Sequence, residues 1–283
     1  MFNTLDSNFD VMKIIVEAGG TKCKWGLIDG QIRTIETIGF NPNCGHPDGL
    51  LGIAQAVAEV VENEPDSVLY FGAGCGNQQN QELVRGTLNK VFANAEIKVC
   101  SDLEGAAIAL FGKQPGIAAI LGTGAAAGYY NGNEIERHAP SLGYLLGDEG
   151  SGAYIGKTLI EKVLRSELSA KLCESFFVFV KMSPVELIKN VYSAQPQNAY
   201  LANFVQFAST NIVEPEISEL VTNAFALFHE KHIAQLNINN LPIGFVGGVA
   251  WQFSQLLQQF YNEHGINIKV LKDAFGCLCH TPL

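Results

Sequence analysis

Basic side chains are scarce in this chain. Lys and Arg number 18 against 28 Asp and Glu in 283 residues, a formal net charge of −10. That balance disfavours nucleic acid or an anionic membrane as the main partner. A small phosphorylated ligand needs only local donors and stays open. No apolar run in the sequence reaches the roughly 18 residues that a membrane-spanning helix needs. No Cys-x-x-Cys occurs either: Cys23, Cys44, Cys75, Cys100, Cys173, Cys277 and Cys279 are an odd set at irregular spacing, which reads as reduced cytosolic thiols rather than a disulfide framework. Cys277-x-Cys279 by itself is a weak metal signature. The first 13 residues, with Asp6 and Asp10 in a mostly polar stretch, do not read as a secretory leader; residues 1–12 read as a mobile one.

What the chain does have is apolar content, 47%, enough for packed cores, and a length that favours two domains over one. In order, the pattern predicts a strand at 13–16, a glycine-bearing run at 17–28, a hairpin turn at Asp29-Gly30 and a returning strand at 31–39. An Asn/Pro/Gly loop at 40–49 precedes a helix at 50–63. A buried strand at 67–71 enters the loop 72–77, whose glycines fall too close together for a dinucleotide fingerprint. A helix at 81–92, a strand at 96–100 and a small-residue helix at 103–111 follow. Asp102 stands between those last two. An acid there either caps the helix or aims into the crevice where α/β sheets bind ligands and accepts a hydroxyl proton.

GKQPG at 112–116 reads as a linker, after which the pattern begins again. A strand at 117–121, the turn Gly122-Thr123-Gly124, a strand at 125–130 and a turn at 131–133 repeat the strand–glycine–strand unit of 16–28. Such a repeat points to two like domains. Beyond it the periodicity predicts helices at 153–168 continuing to 180, then at 184–193, 200–210, 215–232 and 251–263, with strands at 243–246 and 266–271 and a short tail from 275 to 278. His229 and His232, three apart, read as helix-surface residues.

The stretch 141–157, SLGYLLGDEGSGAYIGK, invites a P-loop reading because Gly156 and Lys157 end it and Thr158 follows. The Walker pattern needs a glycine five residues before Gly156; Ser151 stands there. Asp148 and Glu149 would repel a polyphosphate, and Lys157 and Thr158 fall inside a helix rather than at its start. The P-loop is rejected.

Glycine-bearing turns remain at 19–21, 74–76, 122–124, 147–152 and 247–248, with Asp102 among them. In this order they resemble the superfamily of sugar kinases, actin and heat-shock ATPases. Within it the chain looks like the N-acetylglucosamine kinase-like branch, which also holds the activator ATPases of acyl-CoA reductases and dehydratases. The resemblance runs from Lys13 to His280 and is most specific at 143–152. It implies an α/β fold of two ribonuclease H-like (actin-like ATPase) domains facing an interdomain cleft, 13–113 and 114–271, with 272–283 open to rejoining the first.

Roles follow from the resemblance. Gly19, Gly20, Thr21 and Lys22 would form the first phosphate turn and Gly122, Thr123 and Gly124 the second, with Gly247 and Gly248 against the adenosine of ATP. Asp102 would be the general base, while Asn41, Gly76, Asn77 and Asp148 would hold the sugar. Mg²⁺ would accompany the nucleotide, touched through water by Glu17, where the family usually has Asp. The family's second turn often continues Gly-Thr-Gly-Ser-Asn; here Ala125 and Ala126 follow Gly124, removing a polar side chain expected on the amino sugar. The implied activity is ATP-dependent phosphorylation of a sugar hydroxyl in the cytoplasm, with no nucleic-acid or membrane partner and a homodimer left open. The alternatives are an ATPase activator of a partner enzyme, or a nucleotide- and sugar-binding protein with weakened catalysis.

Overall fold

A computed structural model describes residues 12–238 and 240–281. The leader expected over 1–12 lies, Met12 apart, outside them. Met12 itself is buried, its N–H bonded to Asp66 Oδ2 at 2.9 Å and its carbonyl accepting the N–H of Asp66 at 2.8 Å.

The chain divides into two compact units, one running up to Gly105 and taken up again at Phe275, the other Ala106–Ala274. The first holds β1 (Lys13–Ala18), β2 (Lys22–Ile28), β3 (Ile32–Ile38), α1 (Pro47–Ala58), β4 (Ser67–Gly72), α2 (Gln78–Leu88) and β5 (Glu96–Ser101). Its sheet order is β3-β2-β1-β4-β5, antiparallel through the two hairpin strands and parallel from β1 to β5. The β-branched run Ile14-Ile15-Val16 favours the central strand. Ile14 and Val16 then bury one face of it with Trp25, Leu50, Val57 and Tyr70. Register places Ala18 beside Gly72 and Gly72 beside Ser101, so three parallel strands end level.

The boundary between the units falls inside α3 (Asp102–Phe111). The second unit continues with β6 (Gly116–Leu121), β7 (Ala125–Tyr130), β8 (Ile135–His138), α4 (Gly143–Leu146), α5 (Gly152–Leu164), α6 (Ala170–Val180), α7 (Pro184–Ser193), α8 (Gln197–Ala202), α9 (Val205–Thr210) and α10 (Pro215–Phe228). It ends with β9 (Ile243–Val246), α11 (Gly248–Gln252), α12 (Ser254–Glu263) and β10 (Ile268–Leu271), and α13 (Phe275–His280) returns to the first unit. The second sheet, β10-β9-β6-β7-β8, repeats the plan of the first: two antiparallel neighbours on one side of the central strand and two parallel ones on the other. Its core joins Leu121, Ile155, Leu159, Phe176, Phe225, Phe228 and Phe245. Two such α/β units are the fold the resemblance implied.

Several expected elements need correction. The helix expected from 153 to 180 is two, because Ser166 turns left-handed at φ +55° and Leu168 folds back into the core. The helix at 200–210 breaks between Ala202 and Val205, and that at 251–263 breaks at Phe253. Apolar spacing runs through all three breaks, since both halves pack on one core. The helix expected at 50–63 starts at Pro47, where the fixed φ of proline suits a first turn, and ends at Ala58. The last turn of α10 widens into a π turn, His229–Ile233.

Candidate active site

At the level carboxyl ends of β1, β4 and β5 the first unit gathers most of its sequence-predicted residues. The first turn follows β1 and is closed by Gly19 N–H donating to Lys22 O at 2.9 Å; Gly20, Thr21 and Lys22 are exposed. The Lys22 ammonium meets Glu36 on β3 at 2.6 Å. After β4 comes the loop 72–77, and after β5 comes Asp102. This is the edge at which open α/β sheets bind ligands.

The loop is tied to its surroundings by amides. Asn41 Oδ1 accepts the N–H of Asn43 at 2.9 Å, an Asx turn. Gly74, at φ +80°, lies so close to that amide that a Cβ would strike Asn41 Oδ1. Asn80 Nδ2 donates both to Asn43 Oδ1 at 2.8 Å and to Gly74 O at 2.7 Å. Asn77 Oδ1 caps α2 by accepting the N–H of Asn80 at 2.9 Å, while Gly76 stays exposed with open space around its α-carbon. Asn80 was not picked out from sequence. Its signal is the Asn-x-x-Asn spacing at a helix start.

Between capping and chemistry at Asp102, the geometry separates the roles. Ser101 Oγ accepts the N–H of Glu104 at 3.1 Å and caps α3. Asp102 is the first helical residue, and its carboxylate accepts the neighbouring Leu103 N–H at 2.9 Å together with its own backbone N–H. Burial raises its carboxyl above the ordinary aspartate value, and the bond from Leu103 partly offsets this. Cys75, in the loop, and Cys100, on β5, are buried and, chiefly by that burial, pushed up to about 12; the Asp102 charge adds to the rise at Cys75. Such thiols stay protonated and inert.

The second unit has its own cluster. Gly122 N–H donates to Gly124 O at 3.0 Å, and the first N–H groups of α5 reach the same turn: Gly152 to Gly122 O at 2.8 Å and Ala153 to Thr123 O at 3.1 Å. Asp148 is 7% exposed and left-handed at φ +56°. Its carboxylate accepts the N–H of Ala125 and packs on Gly124. Burial raises its pKa; the Ala125 bond and the charges of His232 and Lys157 pull it back, while Glu149 pushes with burial. Gly247, at φ +128°, follows β9 directly beside the end of β6, and a Cβ there would fall on Leu121 O.

One expectation in this unit is overturned. His232 is not on the surface: it is 4% exposed, and its Nε2 lies 3.0 Å from Glu149 Oε2. It stands four residues after Phe228, in line with the buried face formed by Val221, Ala224, Phe225 and Phe228, so helical spacing itself carries the signal of its burial. Lys157 and Thr158, in contrast, sit in the second turn of α5 as expected. Lys157 Nζ reaches Tyr144 O at 3.5 Å and stands over the Tyr154 ring.

Among the described residues no group of three or more His, Cys, Asp or Glu is set to hold a metal ion. Mg²⁺ needs less: it keeps several waters and takes one or two carboxylates plus substrate phosphates. Glu17, half-buried on β1 two residues ahead of Gly19, is a carboxylate of that kind. The Glu17 charge also adds to burial in raising the thiols of Cys23, to about 12, and Cys279, to about 11. No described helix is long and apolar enough to cross a membrane.

No protein-family model matches this sequence, and comparison with curated proteins finds no relative. Solved structures are similar. A putative N-acetylglucosamine kinase from Porphyromonas gingivalis superposes with a TM-score of 0.90 at 29% identity, over 95% of this chain and 98% of that one. A second, from Chromobacterium violaceum, gives 0.68 at 22% identity over 94% and 97%. MreB5 of Spiroplasma citri bound to ADP gives 0.55 at 13% identity over 94% and 93%, a likeness of fold alone. With two repeated five-stranded units and these neighbours, the chain has the fold shared by sugar kinases and actin-like ATPases.

Proposed function

We propose that this protein is a cytoplasmic ATP-dependent sugar kinase, with an amino sugar such as N-acetylglucosamine as the first candidate substrate. The observation that carries the reading is Asp102, a carboxylate released from capping by Ser101 at the carboxyl edge of the sheet, beside a glycine turn and an asparagine-rich loop. The similarity to the Porphyromonas gingivalis structure supports it.

In this reading Asp102 accepts the proton of a sugar hydroxyl as its oxygen attacks the γ-phosphorus; the β,γ-bridging oxygen leaves with ADP. Phosphoryl transfer asks mainly for positioning and charge neutralisation. Gly19, Gly20, Thr21 and Lys22 form one phosphate turn, and Gly122, Thr123 and Gly124 a second. Gly247 and Gly248 lie along the adenosine. Asn41, Gly76, Asn77 and Asp148 are the residues assigned to the sugar. Glu17 would hold Mg²⁺ through water, and the ion would supply neutralisation of the phosphate charge. The test is a coupled ADP-release assay across amino sugars and hexoses, with mass detection of the phosphorylated product. Sugar-dependent turnover with product is the expected result; ATP hydrolysis indifferent to every sugar would refute the reading.

One observation favours a second reading, a nucleotide- and sugar-binding protein with weakened catalysis. Asp148 is nearly enclosed and already bonded to Ala125, and Ala125-Ala126 offers the sugar no side-chain polar group. Melting-temperature increases with ATP and sugar, without phosphorylated product, would select it.

A further inference from the structure

Three consecutive residues, Asp148, Glu149 and Gly150, are each fixed by a different partner. Asp148 accepts the N–H of Ala125. Glu149 Oε2 meets His232 Nε2 at 3.0 Å; since a carboxylate only accepts, Nε2 carries the proton. Gly150, at φ +78°, lies against Phe228, whose Cβ would be 2.9 Å from a Cβ on it. Phe228 and His232 are themselves stacked, 4.8 Å between centroids and 19° between planes. The end of α10 and its π turn thus form one wall that grips the turn 148–150. Asp148, Lys157, Tyr154 and Lys231 are the other ionisable groups that interact with the turn or with Glu149.

A largely buried Glu–His pair is poor cement, because dehydrating its charged groups offsets most of their attraction. What such a pair supplies is direction. Asp148 needs it: a left-handed backbone is uncommon for a residue other than glycine. The route from the pair to the second turn is short and continuous. Ser151 N–H donates to Asp148 O at 3.0 Å, and the next two N–H groups donate to Gly122 O and Thr123 O.

We propose that His232, acting through Glu149, is a positioning residue that holds Asp148 and the second glycine turn in register for the sugar. The role in sugar phosphorylation rests on the kinase reading above; the mechanical coupling does not. His232→Ala removes the contact, His232→Gln keeps an N–H donor for Glu149, and Glu149→Gln removes the charge. With N-acetylglucosamine and ATP, His232→Ala raises the sugar KM about tenfold, the size expected for one lost charge-assisted hydrogen bond, while the ATP KM stays within about twofold and His232→Gln recovers most of the sugar KM. Amide exchange at Ala125, Gly152 and Ala153 quickens about tenfold in His232→Ala and stays unchanged in β1–β5. A His232→Ala protein that melts like the parent, with sugar KM and these amide rates unchanged, overturns the proposal. If that variant does not fold, Glu149→Gln decides by the same two readouts. If the parent phosphorylates no sugar, the kinase reading fails, and the amide rates alone decide the coupling.

Discussion

Ser101 Oγ accepts the backbone N–H of Glu104 at 3.1 Å, and this one bond separates Asp102 from the duty of capping α3. The two neighbours therefore fail differently when changed. Ser101→Ala costs about 1 kcal/mol of stability, as loss of an N-cap does. Asp102→Asn retains an oxygen for Leu103 and removes a carboxylate that burial disfavours. Its folded pKa lies above the unfolded value, so the folded state binds the proton more tightly. Stability from that group therefore falls as pH rises through the two values. At neutral pH Asp102→Asn should melt no lower than the parent, while sugar-dependent turnover drops about 10²- to 10⁴-fold. Retained turnover would remove Asp102 from the chemistry.

The pH profile offers an independent check. A general base works only deprotonated, and burial raises the Asp102 carboxyl above the ordinary 3.8. The acid limb of kcat/KM for the sugar should therefore lie above that value. An acid limb at or below 3.8, measured where the protein stays folded, contradicts the assignment.

Gly156-Lys157-Thr158 looks like part of a phosphate loop, yet its glycine serves packing. A Cβ on Gly156 would run into Leu201 O, where α5 crosses α8. Gly156→Ala should cost about 1–3 kcal/mol, the range for overpacking a tight contact. Lys157→Ala and Thr158→Val leave the ATP KM within about twofold, because the N–H groups at the start of α5 are already bonded to Gly122 and Thr123. A large rise in ATP KM for Lys157→Ala, in steady-state kinetics, would return that lysine to the nucleotide.

These residues also show what a sequence does and does not display. Strands 13–18, 67–72 and 116–121 are short apolar runs that stop at or beside a glycine; the first is expected only to 16, but the presence of each is visible without coordinates. So is the repeated strand–glycine–strand unit, because identical backbone tasks select similar residues. Strand β8 escapes notice because three of its four residues face solvent and it has no apolar alternation. The break at Ser166 escapes for the opposite reason: Leu164, Leu168 and Leu172 keep a helical spacing across it. Long-range pairs are hidden altogether. Asn80 meets Asn43 across 37 positions and His232 meets Glu149 across 83, so neither residue carries a local sign of its partner.

The adjacent glycines 247 and 248 give the sharpest separation of fold from ligand. A side chain on Gly247 meets two obstacles: a φ of +128° that L residues rarely adopt, and the Leu121 carbonyl in its path. Gly247→Ala should therefore lower the melting temperature, as the level ends of β6 and β9 are forced apart. Gly248 has neither problem. It begins α11 with ordinary backbone angles, and a Cβ there meets nothing within 4 Å. Alanine at that position should leave the fold intact or stabilise it by up to about 1 kcal/mol, since glycine loses more chain entropy on folding. The space around it is free in the protein alone, so only a ligand can object to the methyl group. If the adenosine of ATP lies along Gly248, Gly248→Ala raises the ATP KM severalfold and slows ADP binding, with the sugar KM and the melting temperature unmoved. Calorimetric titration with ADP reads this directly. Unaltered affinity at Gly248→Ala would move the adenosine away from the end of β9.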